Sequence, residues 1–175
     1  MGKRSDGQFE RVERDFYPSP YEVVLPLLPH LPKGANFIEP CAGDGRLVRH
    51  LEKHGHKCVY ACDIEPQSEG IEKRDILFFK QNWQKTDYFI TNPPWGRETL
   101  HPMILTLIDH APAWLLFDAD WMHTVQAAPY LPFCQKIVAI GRVKWIEDTE
   151  NGGMDNACWY LFDKYASGIV RFYGR

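Results

Sequence analysis

The chain has 175 residues, 45% hydrophobic and 25% charged, the balance of one globular domain over residues 1–175 rather than of a disordered or fibrous chain. No apolar run approaches the roughly 20 residues needed to span a bilayer, and the polar start, Met1-Gly2-Lys3-Arg4-Ser5-Asp6, lacks the apolar core of a signal peptide. A formal net charge of −3 excludes chain-wide attraction to nucleic acid, so any such binding rests on a local basic face or on grip of a single base.

In chain order, residues 1–15 are rich in charges of both signs and read as a solvated arm. Phe16-Tyr17-Pro18-Ser19-Pro20 is stiff and extended, because each proline fixes its own φ and restricts its predecessor. A helix is expected to begin there, with Ser19 as N-cap and Pro20 in the first turn, limited by Pro26 and Pro29. Asn36–Pro40 predicts a strand, Cys41–Gly45 a glycine-containing loop, and Arg46–His54 a helix closed by Gly55, with Leu47, Val48 and Leu51 on one face. Lys57–Asp63 predicts a second strand that turns Cys58 and Cys62 into the core. The five cysteines form no Cys-x-x-Cys pair, which argues for a reducing, cytoplasmic setting and against a disulfide framework or Cys-rich metal site. A brief third strand is expected before Asp75. Asp87–Thr91 predicts a strand running into Asn92-Pro93-Pro94-Trp95, and Thr99–His110 a helix with Ile104, Leu107 and Ile108 inward. Trp114–Phe117 predicts a buried strand. Lys136–Ile146 and Asn156–Phe162 predict an edge hairpin across the polar loop 147–153. The alternation of strand and helix predicts an α/β, doubly wound, mainly parallel sheet with helices on both faces. Gly43, Asp63 and Asn92 then share the rim at the strands' carboxyl ends, where such sheets bind ligands.

Three segments carry candidate chemistry. Gly43-Asp44-Gly45, after a strand and before a helix, lets backbone N–H groups approach a ligand. Asp63 stands where a carboxylate would grip two ribose hydroxyls, although a tight turn with a capping aspartate fits these residues as well. The third glycine of a dinucleotide fingerprint is absent, with Leu47 and Val48 in that region, which counts against NAD. In Arg74-Asp75-Ile76, Asp75 could accept from an adenine amino group while Ile76 packs on the ring. After the apolar strand, Pro93 and Pro94 force the backbone out of the sheet in a preset shape. The Asn92 side chain and the Pro93 carbonyl are then fixed acceptors for an NH₂ group, and Trp95 offers a face for a planar base.

Together these segments resemble the class I S-adenosylmethionine-dependent amino-methyltransferases, within them the DNA adenine-N6 type. Phe37-Ile38-Glu39-Pro40-Cys41-Ala42-Gly43-Asp44-Gly45 resembles the family's cofactor loop, and Tyr17-Pro18-Ser19-Pro20 the proline-containing element that precedes it. Cys62-Asp63-Ile64-Glu65 resembles the ribose-binding segment, Arg74-Asp75-Ile76 the adenine-binding one, and Asn92-Pro93-Pro94-Trp95 the catalytic motif. The resemblance implies a seven-stranded sheet with a reversed last hairpin and S-adenosyl-L-methionine as cofactor. It implies cofactor contacts from Tyr17, Pro18, Ser19, Pro20, Glu39, Pro40, Ala42, Gly43, Gly45, Asp63, Ile64, Asp75, Ile76 and Asn92. It also implies catalysis by Asn92, Pro93, Pro94 and Trp95, with help in holding the base from the region Asn151–Asp155. Adenine N6 in DNA is the first substrate it suggests. Cytosine N4, an RNA base or a protein glutamine share the motif, and a non-catalytic cofactor-binding protein is the reading from another class. The short chain has no room for a separate target-recognition domain, which suggests a stand-alone, phage-like form or a partner subunit that reads the DNA.

The remaining polar residues have simpler readings. His50, His54 and His56 predict a solvated helix face rather than a metal site. Asp118-Ala119-Asp120 follows a strand and could bind a cation, with Asp120 as the cap of the next helix the simpler reading. Trp114, Trp121, Trp145 and Trp159 read as core or rim packing. Arg142 and Lys144, with Lys3, Arg4, Arg11 and Arg14, are the candidates for phosphate contact.

Overall fold

The computed structural model describes residues 17–78, 86–145 and 155–175. The elements run β1 (Asn36–Glu39), α1 (Arg46–Glu52), β2 (Lys57–Asp63), β3 (Glu72–Lys73), β4 (Tyr88–Thr91), α2 (Arg97–Ile108), β5 (Ala113–Asp118), β6 (Cys134–Arg142), β7 (Asn156–Phe162) and β8 (Arg171–Tyr173). Neighbouring side chains on a strand face opposite sides of a sheet, and this rule divides each apolar run between two cores. Ile38, Phe89, Leu115 and Phe117 pack with Leu100, Ile104 and Leu107 of α2. Phe37, Ile90, Trp114 and Leu116 pack with Leu47 and Leu51 of α1 on the other face. Each such side chain, fully buried, stabilises the fold by about 1.5–3 kcal/mol relative to exposure.

The strands form one sheet in the order β3-β2-β1-β4-β5-β7-β6-β8. β1 through β5 are parallel, β7 is antiparallel to both β5 and β6, and β8 pairs parallel with β6. The expected α/β, doubly wound sheet with helices on both faces is therefore present, with eight strands instead of seven. The extra strand, β8, is three residues long and largely exposed, so it has no apolar run to announce it. β6 ends at Arg142 rather than Ile146. Its register shifts at a bulge between Ala139 and Gly141, where Gly141 takes a left-handed φ of +85°, and pairing resumes at Gly141 and Arg142 before the strand ends.

The expected helix after Ser19 does not form. Two 3₁₀ turns, Tyr21–Val23 and Leu28–His30, replace it, the first preceded by Pro20 without a side-chain cap. Pro26 and Pro29 lack the N–H groups that an α-helix would need there. The segment is held by packing instead: Val23, Val24 and Leu27 are fully buried, and the Trp159 indole N–H donates to the Val23 carbonyl at 2.7 Å. α1 stops two residues short of His54, and α2 begins at Arg97, directly after Gly96. Asp118, not Asp120, caps the turn Ala119–His123, accepting from the Asp120 N–H. The expected arm (1–15) and polar loop (147–153) lie outside the described residues. No helix among the described residues is long and apolar enough to cross a membrane.

Trp159→Phe keeps an aromatic ring on β7 but removes the pyrrole part of the indole and leaves the buried Val23 carbonyl without its donor. Such an orphaned acceptor costs about 1–3 kcal/mol, so urea denaturation should show a loss of that size with an unchanged m-value.

Candidate active site

β1 has β2 on one edge and β4 on the other, both parallel, so the connections after β1 and β4 leave a crevice between them. A cavity of about 410 Å³ lies there, within the size range of small-molecule sites. Its walls come from the loop after β1, the end of β2, Arg74–Leu77, the start of the loop after β4, and the segment Tyr17–Ser19 laid across the opening. Of the residues expected from sequence, Tyr17, Pro18, Ser19, Glu39, Pro40, Ala42, Gly43, Asp63, Ile64, Asp75, Ile76, Asn92 and Pro94 line this cavity. Pro20, Gly45, Pro93 and Trp95 are not among the lining residues. Pro20 precedes the first 3₁₀ turn, and Gly45 precedes α1 at φ +75°, a conformation that residues with a Cβ rarely adopt.

The two β-strand ends are bolted together through Asp63. Its Oδ2 accepts from the Gly43 N–H at 2.8 Å and its Oδ1 from the Glu65 N–H at 2.7 Å. A carboxylate offers about four lone-pair sites, so two remain for ligand hydroxyls. Asp75 Oδ1 accepts from the Leu77 N–H at 2.9 Å and starts the turn Ile76–Phe78, which places Ile76 and Leu77 in the wall. Asp44 is paired with Arg46 at 3.2 Å and accepts its backbone N–H, so it closes the first turn of α1.

Glu39, at the end of β1, is 1% exposed. Its Oε1 accepts from the Cys41 N–H at 3.3 Å, while its Oε2 has no hydrogen-bond partner among the described residues. The Thr91 hydroxyl stands near enough to favour the charged form, yet neither it nor Oε2 reaches hydrogen-bond geometry with a partner. Burial, with a smaller push from Asp63, raises the Glu39 pKa to about 8. A cationic ligand group in the cavity would supply both the missing donor and the missing charge. Burial likewise pushes the Cys41 thiol well above its ordinary value, which leaves it a neutral wall group 3.9 Å from the Met103 sulfur.

The Asn92 amide is engaged at both ends. Its Nδ2 donates to the Tyr17 carbonyl at 3.2 Å and to the Ser19 hydroxyl at 3.3 Å, and its Oδ1 accepts from the Trp95 indole N–H at 3.3 Å. Trp95 is half-buried and packs edge-on against Trp145, centroids 5.6 Å apart, a contact that braces the loop. Of the histidines expected on a solvated face, His54 is exposed and His50 half-buried. His50 and His54 both pack on Tyr21, whose hydroxyl lies 2.9 Å from His54 Nε2, and His56 is buried. No group of three or more His, Cys, Asp or Glu side chains among the described residues is arranged to hold a metal ion. Sequence reasoning missed Thr91, Cys41, Thr99 and Met103. Thr91 and Cys41 border motif residues, and Thr99 and Met103 follow from the four-residue spacing on α2 once its start is set at Arg97.

The Glu39 shift has a measurable sign. Between pH 4.5 and about 8 the folded protein keeps a proton that the unfolded chain has released, so this group's contribution is greatest below pH 4.5 and is lost as pH rises to 8. In thermal melts without ligand, wild type should lose stability across that window, and Glu39→Gln should lose less, the gap widening toward pH 8.

No family model matches the chain. The type II methyltransferase M.VspI of Vibrio sp. (strain 343) is 32% identical over 112 residues, covering 51% of this chain. The chain spans only 27% of the length of that curated relative. The methyltransferase subunit of a type I restriction-modification system from Streptococcus thermophilus superposes with a TM-score of 0.65 at 10% identity, covering 90% of this chain and 47% of its own. A TehB-like S-adenosylmethionine-dependent methyltransferase from Corynebacterium glutamicum superposes with a TM-score of 0.56 at 13% identity, covering 83% and 88%. The chain has the class I S-adenosylmethionine-dependent methyltransferase fold.

Proposed function

We propose that the chain is an S-adenosylmethionine-dependent methyltransferase that methylates the exocyclic amino group of a nucleobase, adenine N6 in DNA. The observation that carries this reading is the Asn92 amide, held at both ends on the wall of a cavity whose other groups suit the methyl donor. Glu39 Oε2, buried without a partner, would receive the cofactor's ammonium group. The open lone pairs of Asp63 would take the ribose hydroxyls, and Asp75 with Ile64 and Ile76 would hold the adenine. When bound, the cofactor supplies a methyl on a cationic sulfur: the N–C bond forms as the C–S bond breaks, the electron pair goes to sulfur, and the surplus proton leaves the amine. The chain's own part is orientation. Asn92 Oδ1 and the Pro93 carbonyl accept the two amine hydrogens and so aim the nitrogen lone pair at the methyl group.

The likeness to a type II methyltransferase favours DNA over RNA or protein as substrate. The exposed Arg142 and Lys144 alternate with Val143 and Trp145, which are buried. β6 runs in the same direction as β5, so its end lies on the cavity rim, and Trp145 touches Trp95 of the catalytic loop. Those two cations would meet phosphates flanking a base delivered to Asn92. Lys3, Arg4, Arg11 and Arg14 lie outside the described residues. A partner subunit would supply sequence recognition that the chain's short span of its relative leaves open.

Incubation with methyl-labelled cofactor and unmethylated DNA, followed by digestion to nucleosides, should yield labelled N6-methyl-2′-deoxyadenosine. Label in N4-methylcytosine, in RNA or in a protein glutamine would move the substrate, and cofactor binding without transfer to any of them would make the protein non-catalytic. Asn92→Ala should lower the transfer rate by about 10²–10³-fold, as removal of one preorganised polar group does, with cofactor binding retained. Changing Arg142 and Lys144 together to Ala should weaken DNA binding and lower the slope of log K against log salt by about 2, at roughly 0.9 per phosphate contact.

A further inference from the structure

Asparagine's side-chain amide has two ends of nearly equal size and opposite hydrogen-bonding character. Only the oxygen can accept from a target amine, so an amide turned the other way would set donor against donor. In this fold the choice is made by Tyr17 and Ser19, outside the catalytic loop, and by Trp95 at its end. The Tyr17 carbonyl can only accept, and it lies 3.2 Å from Nδ2. The Trp95 indole can only donate, and it lies 3.3 Å from Oδ1. The Ser19 hydroxyl, 3.3 Å from Nδ2 and on a residue 5% exposed, adds a second acceptor that bulk water cannot easily replace. The segment carrying these groups is itself fixed: His50 packs edge-on against Tyr21, and Trp159 holds the Val23 carbonyl.

We infer that Tyr17 and Ser19 are positioning residues for Asn92: they hold its nitrogen so that its oxygen faces the target amine, and they make asparagine rather than aspartate the residue this site requires. The inference rests on the proposed function and assigns Ser19 a task different from cofactor contact. Aspartate at position 92 would set a carboxylate oxygen against the Tyr17 carbonyl, two acceptors with no proton between them and a charge in a half-buried place. An alanine at position 19 removes one of the two acceptors that hold the nitrogen, so the amide spends part of its time wrongly turned even with cofactor and base in place. The effect falls on the chemical step.

The test measures the single-turnover rate constant for methyl transfer at saturating cofactor, together with S-adenosylhomocysteine affinity by calorimetry. Ser19→Ala should lower the rate constant about 3–10-fold, the worth of one neutral hydrogen bond, with homocysteine-product affinity unchanged within twofold. Ser19→Thr, which restores the hydroxyl, should recover the rate. Asn92→Asp should lose at least tenfold more than Ser19→Ala. In an Asn92→Ala background, Ser19→Ala should have no further effect, because it acts through the amide. An unchanged rate in Ser19→Ala, or an equal loss in the Asn92→Ala background, overturns the inference and leaves the methyltransferase reading standing. A weakened product affinity with an unchanged saturated rate assigns Ser19 to the cofactor and overturns it too. Absence of methyl transfer by the wild type to any nucleic acid base overturns the proposed function, and the inference with it.

Discussion

β1 is hydrogen-bonded along both edges to parallel strands, Phe37 pairing with Cys58 on one side and with Tyr88 on the other. That double pairing is the constraint on which the site depends. It brings the carboxyl ends of β1, β2 and β4 to one rim, although Glu39, Asp63 and Asn92 lie far apart in the chain. The loop after β1 has to cross between its two neighbours, and it does so through backbone N–H groups: Gly43 donates to Asp63, and Ala42 donates to the Cys62 carbonyl at 2.9 Å. The two cores on either face of the sheet hold that register, since a one-residue slip would exchange Phe37 for Ile38 and Phe89 for Ile90 between them.

Charge around the cavity is distributed unevenly. Arg46 is committed to Asp44, and Arg74 to Glu72, so two of the nearest guanidinium groups already have carboxylate partners. The acids that face the cavity from β1, β2 and the turn after β3 are Glu39, Asp63 and Asp75. Burial, with a smaller push from Asp63, already makes Glu39 costly to charge when the cavity is empty, and such a wall suits a ligand that carries positive charge. The cavity's apolar share, from Ile64, Ile76, Leu77 and Met103, suits a flat ring and a hydrocarbon arm better than a polyphosphate.

Much of this arrangement is legible in the residues. The paired apolar runs at Phe37-Ile38 and Phe89-Ile90 announce strands buried on both faces, and Pro93-Pro94 announces where the fourth strand must leave the sheet. Elements whose stability comes from elsewhere are hard to read. β8 exists because β6 offers an edge, not because Arg171-Phe172-Tyr173 is a strong strand former. Ser19 followed by proline carries the local signal of a helix cap, but its hydroxyl meets an amide 73 residues away, and no local pattern encodes that meeting. Trp95 reads as a stacking platform by composition, and its contact with Trp145 and its bond to Asn92 add the part of a brace. The acid at Glu39 is plain in the sequence. Its lack of a partner is a property of the folded rim alone.

The bonds from Tyr17 and Ser19 to Asn92 join chain positions separated by 75 and 73 residues, across four strands and a helix. During synthesis this closure cannot occur until β4 has emerged, with half of the chain still to follow. The segment also lies outside the sheet's hydrogen-bond ladders and can open with little loss of strand pairing. Local openings of this kind require less free energy than global unfolding. The orientation of the Asn92 amide therefore has its own stability, set by the grip of Trp159 and the buried Val23 on a short stretch of chain. Mild heat or denaturant would silence the site while the sheet behind it remained intact.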